Sequence, residues 1–265
     1  MRFSNLGSGS SGNSTLVEAG PAGRPTRLLV DCGFSMRELG RRLALRGVEL
    51  GQIDAVFVTH EHGDHVGCAL TLARRHGVRL CMSAGTWAAL RRKAGLDESD
   101  AEPAFLQVLS CGDRLDLGAL QLQPFGVPHD AREPLQLRVH DGQHHLGLLT
   151  DLGEVTDAVA QALGGCDALL LETNHDRDML AAGPYPWVLK RRISGRFGHL
   201  ENSLSAALLQ RLHHAGLRHV VAAHLSRQNN TPELAAQALA AALGTGVQDV
   251  LVADPVHGCG WLDLH

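Results

Sequence analysis

Four short apolar runs in this chain each end on an acid or a histidine, and that pattern narrows the folds open to it. They are "TRLLVD" ending at Asp31, "DAVFVTH" at His60, "HLGLLTD" at Asp151 and "HVVAAH" at His224. A short, nearly continuous run of Leu, Val and Ala predicts a strand buried on both faces. The polar residues at the strand ends are then held by a rigid sheet and can be aimed into one cleft. Between them, "HVGCALTLARRHG" reads as a helix from His65 to a stop at Gly77. "NSLSAALLQRLHHAG" reads as another, capped by Asn202 or Ser203 and closed by Gly216. "TPELAAQALAAALG" has Thr231 as cap, Pro232 in the first turn and Gly244 as terminator. Asp141-Gly142, between "LRVH" and "HLGLL", predicts a hairpin. Strands buried on both faces need helices outside them, so the class is α/β. The halves, about 1–125 and 126–265, each show several strands followed by helices. No low-complexity linker parts them, and one layered domain over 1–265 is expected.

Composition removes other classes. The 265 residues are 44% hydrophobic and 20% charged, enough to bury a sizeable core. A formal charge of −4 excludes a basic arm that coats nucleic acid by charge alone, so any phosphate binding must be local. No run approaches the ~20 apolar residues of a membrane span. The N-terminal segment lacks the basic and apolar pattern of a secretory signal. Cys32, Cys68, Cys81, Cys111, Cys166 and Cys259 are scattered, as in a reducing cytosol where most such thiols are buried. A cytoplasmic protein without membrane partners is expected. Six Phe, three Trp and one Tyr are too few for a base-stacking platform of the RRM kind, whereas 16 His direct attention to metal ligands.

The segment "THEHGDHVGC" places His60, His62, Asp64 and His65 within six residues. His60 and His62, two apart in extended chain, share a side. Asp64 and His65 fall where a helix begins and can be aimed elsewhere. Two neighbouring sites follow, each needing distant ligands. Imidazole nitrogen and carboxylate oxygen suit Zn²⁺, Mn²⁺ or Fe²⁺, and the lack of thiolates argues against a structural zinc knot.

With these residues in view, the chain resembles the metallo-β-lactamase-fold hydrolases almost from end to end. Asp31 of "LLVDCG", "THEHGDH", His129 of "VPHD", Asp151 of "LLTDLG" and His224 of "AAHLS" fall in the family's order. The resemblance implies a four-layered αββα sandwich with the site at one edge. It implies that His60, His62 and His129 hold one metal and that Asp64, His65 and His224 hold the other. Asp151 would bridge two divalent ions, Mn or Zn, and Asp31 would support the site without being a principal ligand. "SGSSGNS", "ETNHD", "GPYPWVLKRRISGRFGHLEN" and "HLSRQNNTPELA" look like the YycJ/WalJ-type proteins, bacterial cytosolic nucleases. That resemblance implies Mn²⁺-dependent 5′-to-3′ exonuclease action on DNA. Glu201 stands where "GHLSN" carries Ser, adding a carboxylate near a phosphate site.

Paired ions would activate a bridging hydroxide as nucleophile and leave the centre net positive, which favours an anionic substrate. Gly198-His199 resembles the position of the catalytic histidine in ribonuclease Z, and Glu172, ending "ALLLE", resembles its acidic partner. His199 is therefore the expected general acid, with Glu172 and Asp64 completing the catalytic set. Ser10, Ser11 and Asn13 of "SGSSGNS" are candidates for phosphate, as are Ser226 and, in "LKRRISGR", Lys190, Arg192 and Arg196. Arg41/Arg42, Arg74/Arg75 and Arg91-Arg92-Lys93 read as solvated helix faces, and Tyr185 and Trp187 as core or lid packing rather than base-stacking residues. His144, His145, His213, His214, His257 and His265 are assigned no metal. The competing functions are a small-molecule phosphodiesterase, a thioester hydrolase on the same fold, and a metal-containing nucleic-acid adaptor.

Overall fold

The computed structural model describes residues 1–97 and 101–264, so His265 lies outside the described residues. One sheet takes β1 (Arg2–Gly7), β2 (Ser14–Ala19), β3 (Thr26–Val30), β4 (Ala55–Phe57), β5 (Arg79–Met82) and β6 (Leu106–Val108). The other takes β7 (Leu115–Leu117), β8 (Leu120–Gly126), β9 (Leu135–His140), β10 (His145–Leu149), β11 (Ala168–Glu172), β12 (His219–Ala223) and β13 (Leu251–Val252). β14 (Leu262–Asp263) returns to the first sheet and pairs with β1. The orders are β14-β1-β2-β3-β4-β5-β6 and β13-β12-β11-β10-β9-β8-β7. In each sheet an antiparallel meander leads into parallel strands, from β3 to β6 and from β10 to β13. The change of sheet falls between Val108 and Leu115, before residue 125, because the β7–β8 hairpin already belongs to the second sheet.

The helices are α1 (Met36–Ala44), α2 (Gly63–Val66), α3 (Ala69–His76), α4 (Ala84–Lys93), α5 (Asp157–Leu163), α6 (Arg177–Ala182), α7 (Trp187–Ile193), α8 (Asn202–Leu212) and α9 (Pro232–Leu243). Alternation within the strands decides the layers. Leu28, Val30, Ala55 and Phe57 meet Leu137, Leu148, Leu170 and Val221 between the two sheets. Their neighbours Leu29, Val56 and Val58 face outward onto Leu39, Leu43, Leu72 and Trp87. On the other side Leu169, Leu171, Val220 and Ala222 pack on Val159, Leu208, Ala235 and Leu239. The central strands β2, β4 and β11 are covered on both faces, which is why their runs are continuous rather than alternating. The result is the αββα sandwich.

Local signals mostly hold. The His140–His145 register closes the hairpin at Asp141-Gly142. Thr231 Oγ1 accepts from Leu234 N, Pro232 opens α9, and Gly244 closes it in the left-handed region. Three expectations change. The helix from His65 is interrupted at Gly67, whose φ is +31° and where a Cβ would stand 2.3 Å from Cys32 O. α8 starts after Glu201 and ends at Leu212, with His213 extended, so Asn202, Ser203 and Gly216 do not cap it. Arg42 is not solvated: its guanidinium is buried, donating to Leu6 O, Pro255 O and Glu38. Among the described residues no helix is long and apolar enough to cross a membrane.

Candidate metal centre and active-site cleft

The C-terminal ends of β3, β4, β10, β11 and β12 open on one edge of the sandwich. Asp31 and His224 directly follow β3 and β12, and Asp151 stands one residue beyond Thr150 at the end of β10. They are also the non-glycine residues with positive φ among those described, at 62°, 54° and 56°. That conformation is costly for most side chains, and it clusters here where the side chain must turn sharply off the strand end.

The distances build two groups around Asp151. His60 Nε2 lies 3.0 Å from His62 Nδ1, and His129 Nε2 lies 3.4 Å from the same atom. These three nitrogens form one cluster able to hold a metal; Asp64, His65 and His224 form a second. Asp64 Oδ2 is 3.7 Å from His65 Nε2 and 3.7 Å from His224 Nε2. Asp151 stands between: Oδ2 is 3.0 Å from His65 Nε2, and Oδ1 is 3.8 Å from His129 Nε2. His224 Nε2 and Asp151 Oδ2 are buried without a hydrogen bond. Buried nitrogen and oxygen atoms left short of hydrogen bonds around a common centre fit a cation there. Imidazole nitrogens and carboxylate oxygens are also the donors a divalent metal accepts.

The far ring nitrogens of His60, His65, His129 and His224 are occupied, which turns their other nitrogens inward. Asp31 Oδ2 lies 2.8 Å from His65 Nδ1, while its Oδ1 accepts from Thr59 N. Thr59 Oγ1 also lies 3.0 Å from His60 Nδ1. His129 Nδ1 meets Gly198 O at 3.1 Å. Glu172 serves two rings at once, with Oε1 2.9 Å from both His199 Nδ1 and His224 Nδ1. Its Oε2 accepts from Leu152 N and Leu200 N, so this fully buried carboxylate has no lone pair left for a metal.

Burial pushes His60 and His129 down from the usual histidine range, and neighbouring imidazoles add to this. Burial also works against charge on His65 and His224, but carboxylates win at both. Asp151 and Asp31 hold His65 well up, and Asp151, Asp64 and Glu172 push His224 up to about 10. Metal binding at these two nitrogens must therefore displace protons. Apparent metal affinity is expected to rise as pH rises through neutrality toward 10, with net proton release. Titration calorimetry in buffers of different ionisation enthalpy checks this, and a proton count of zero would contradict it.

The cleft over these groups encloses about 260 Å³ and includes Ser10, Tyr185, Leu189, Arg192, His199 and Ser226 in its walls. Of the expected phosphate residues, Ser10, Ser226 and Arg192 thus reach it, Arg192 while paired with Asp130. Asn13 sits beneath it instead, buried, with Nδ2 3.2 Å from His65 Nε2 and its backbone N–H on Asp64 O. Ser11 is exposed and not among the cleft residues. Arg196 pairs with Glu154, and Lys190 donates to Ala181 O on the far side of α7. A helix places neighbouring residues on different faces, so one basic run cannot serve one cleft. The glycine- and serine-rich loop is largely a support. Ser8 Oγ accepts from His224 N, and Asn13 Oδ1 accepts from Gly9 N within the loop. Thr59, Asp130 and Asn174 escaped the sequence reading, since no spacing separates a Thr beside a ligand from any other strand Thr.

Residues 26–225 match the Beta-lactamase superfamily domain. Exodeoxyribonuclease WalJ of Streptococcus pneumoniae is 35% identical over 252 residues, covering 93% of this chain and 91% of the relative. Exodeoxyribonuclease YycJ of Bacillus anthracis is 34% identical over 235 residues, covering 89% and 86%. The chain belongs to the YycJ/WalJ family. The YycJ/WalJ family is a branch of the metallo-β-lactamase-fold hydrolases, and the sandwich is theirs: the metallo-β-lactamase-fold protein YhfI of Bacillus subtilis superposes with a TM-score of 0.72 at 16% identity, covering 98% of each chain.

Proposed function

We propose that this YycJ/WalJ-family chain is a single-domain, dinuclear-metal-dependent phosphodiesterase that degrades DNA from the 5′ end in the cytoplasm. The observation that carries the reading is the convergence of His60, His62, Asp64, His65, His129, Asp151 and His224 with a Glu172–His199 pair in one cleft. Relatives named as exodeoxyribonucleases support DNA as substrate.

His60, His62 and His129 would hold one ion, Asp64, His65 and His224 the other, with Asp151 shared and Asp31 behind His65. The donor set fits Mn²⁺ or Zn²⁺. Two such ions supply Lewis-acid activation of water and charge stabilisation on the oxygens of the scissile phosphodiester. The chain's own residues do the rest. Glu172 accepts from His199 Nδ1, which leaves Nε2 to face the leaving oxygen and deliver its proton. Burial opposes charge on His199, but Glu172 and Asp151 outweigh it and raise its pKa above the usual histidine range, which favours the protonated acid. Arg192, Ser10 and Ser226 at the cleft wall are placed for the neighbouring phosphates.

Digestion of 5′- and 3′-labelled duplexes in Mn²⁺ tests the reading, comparing wild type with Asp64→Ala and His199→Ala. Stepwise loss from the 5′ label is expected, abolished by Asp64→Ala and slowed about 10²–10⁴-fold by His199→Ala with metal content retained. Turnover of small diesters but of no polynucleotide by metal-replete protein would replace this reading with a small-molecule phosphodiesterase. Stoichiometric DNA binding without turnover would select the adaptor.

A further inference from the structure

The exposed face of α7 is the strongest unexplained surface near the site. Trp187 is 69% exposed and Val188 74%, and α7 buries none of its residues. Trp187, for which the sequence predicted core or lid packing, is not in a core. Leu189, Arg192 and Ile193 face the metal cleft. Trp187, Lys190 and Arg191 face the other way, into a groove of about 640 Å³ shared with His175, Arg177 and Glu201. α7 is thus a wall with the candidate active site on one side and this groove on the other.

Three features give the groove a chemistry. The Arg191 guanidinium lies 5.3 Å from the Trp187 ring centre, an aromatic platform with a cation beside it. Arg177 and Arg191 meet no carboxylate among the described residues, unlike Arg192 and Arg196, which are paired with Asp130 and Glu154. His175 is 1% exposed, borders the groove, and its Nδ1 has no hydrogen-bond partner. The acid in the groove, Glu201, accepts from Ser203 Oγ and leaves the balance cationic.

We infer that this groove binds a single-stranded stretch of DNA continuing from the strand held in the cleft, with a base on Trp187 and phosphates on Arg177 and Arg191. An exposed indole flanked by unpaired guanidiniums suits a single strand, whose bases are free to stack and whose phosphates need local cations in a chain of net negative charge. An intact duplex keeps its base faces stacked inside and would leave Trp187 unused. The inference rests on the nuclease reading and extends it to how the substrate is held beyond the scissile bond.

The test compares wild type, Trp187→Ala, and Arg177→Ala/Arg191→Ala, all Mn²⁺-loaded. Affinity is measured for a single-stranded oligodeoxythymidylate with phosphorothioate linkages, and turnover for bis(p-nitrophenyl) phosphate. Trp187→Ala is expected to weaken binding about tenfold, in line with loss of one base stack. The double variant is expected to lower the slope of log affinity against log salt by about 1.4, at 0.7 per lost phosphate contact. Turnover of the small diester stays at the wild-type rate in both, showing that fold and metals are intact. Wild-type oligonucleotide affinity in both variants would overturn the groove while the nuclease reading stands. Equal weakening for a duplex lacking single-stranded ends, or a preference for RNA, would overturn the single-stranded DNA assignment. No oligonucleotide binding by wild type that still turns over the small diester would remove the nuclease reading and the groove together.

Discussion

Asp151→Asn is expected to lower turnover by more than about 10³-fold and to leave the chain short of its full metal content. Asp151 is 2% exposed and stands 3.0 Å from His65 and 3.8 Å from His129, between the two groups for which the proposed arrangement would have it shared. Asn is the choice because it tolerates the left-handed backbone at φ 54° and keeps the volume, so the loss isolates the charge. Burial raises the cost of that charge, but His224 and His65 hold the carboxyl well below its usual range. Removing it without metal leaves two buried, protonated imidazoles short of a counter-charge. The chelated variant is therefore expected to lose about 3–5 kcal/mol against chelated wild type at neutral pH. The loss should shrink as pH rises through the range where His224, pushed up to about 10, gives up its proton. Metal analysis, turnover and denaturant midpoints with a chelator check the three parts. Full metal content with wild-type turnover would remove Asp151 from its bridging position.

Glu172→Gln is the second large effect, because one oxygen serves two rings. Gln still accepts from Leu152 N and Leu200 N, but it offers no charge to His199 and His224. Loss of the His199 partner is expected to lower kcat about 10²–10⁴-fold. Loss of the His224 partner is expected to weaken metal binding about 10–100-fold. Excess metal should restore the second deficit and leave the first. In the proposed mechanism the protonated His199 would be the active form, so kcat is expected to fall as pH rises through its pKa. With Glu172 neutral that pKa drops, and the alkaline limb of the profile moves to lower pH. A merely structural role for Glu172 would lower activity without moving that limb. His199→Ala separates the two halves, since it should cost turnover and keep the metals.

The strand-end site residues were legible because a buried strand is a continuous apolar run, and a polar residue that closes it marks the sheet edge. Asp31, His60, Asp151 and His224 were placed by that reasoning, and the spacing of His60, His62, Asp64 and His65 added the two-site arrangement. Glu172 was harder, since strand-end carboxylates are usually solvated. The position is buried because four donors from three segments surround it, which no local pattern encodes. Gly67 hid a helix break inside an unbroken apolar period.

Alone, the sequence determined the elements, the helix-covered sheets and the residues able to coordinate metal, because burial pattern and donor chemistry are local properties. Which side each residue faces was decided only by the tertiary structure. Arg192 faces the cleft and Lys190 the groove behind it. Asn13 props His65 from below, and Trp187, expected in core or lid packing, stands in solvent. The physical reason is that orientation depends on which distant strand ends and loops meet at an edge. That meeting is fixed by the packing of two sheets on one shared core, and no short stretch of the chain contains it.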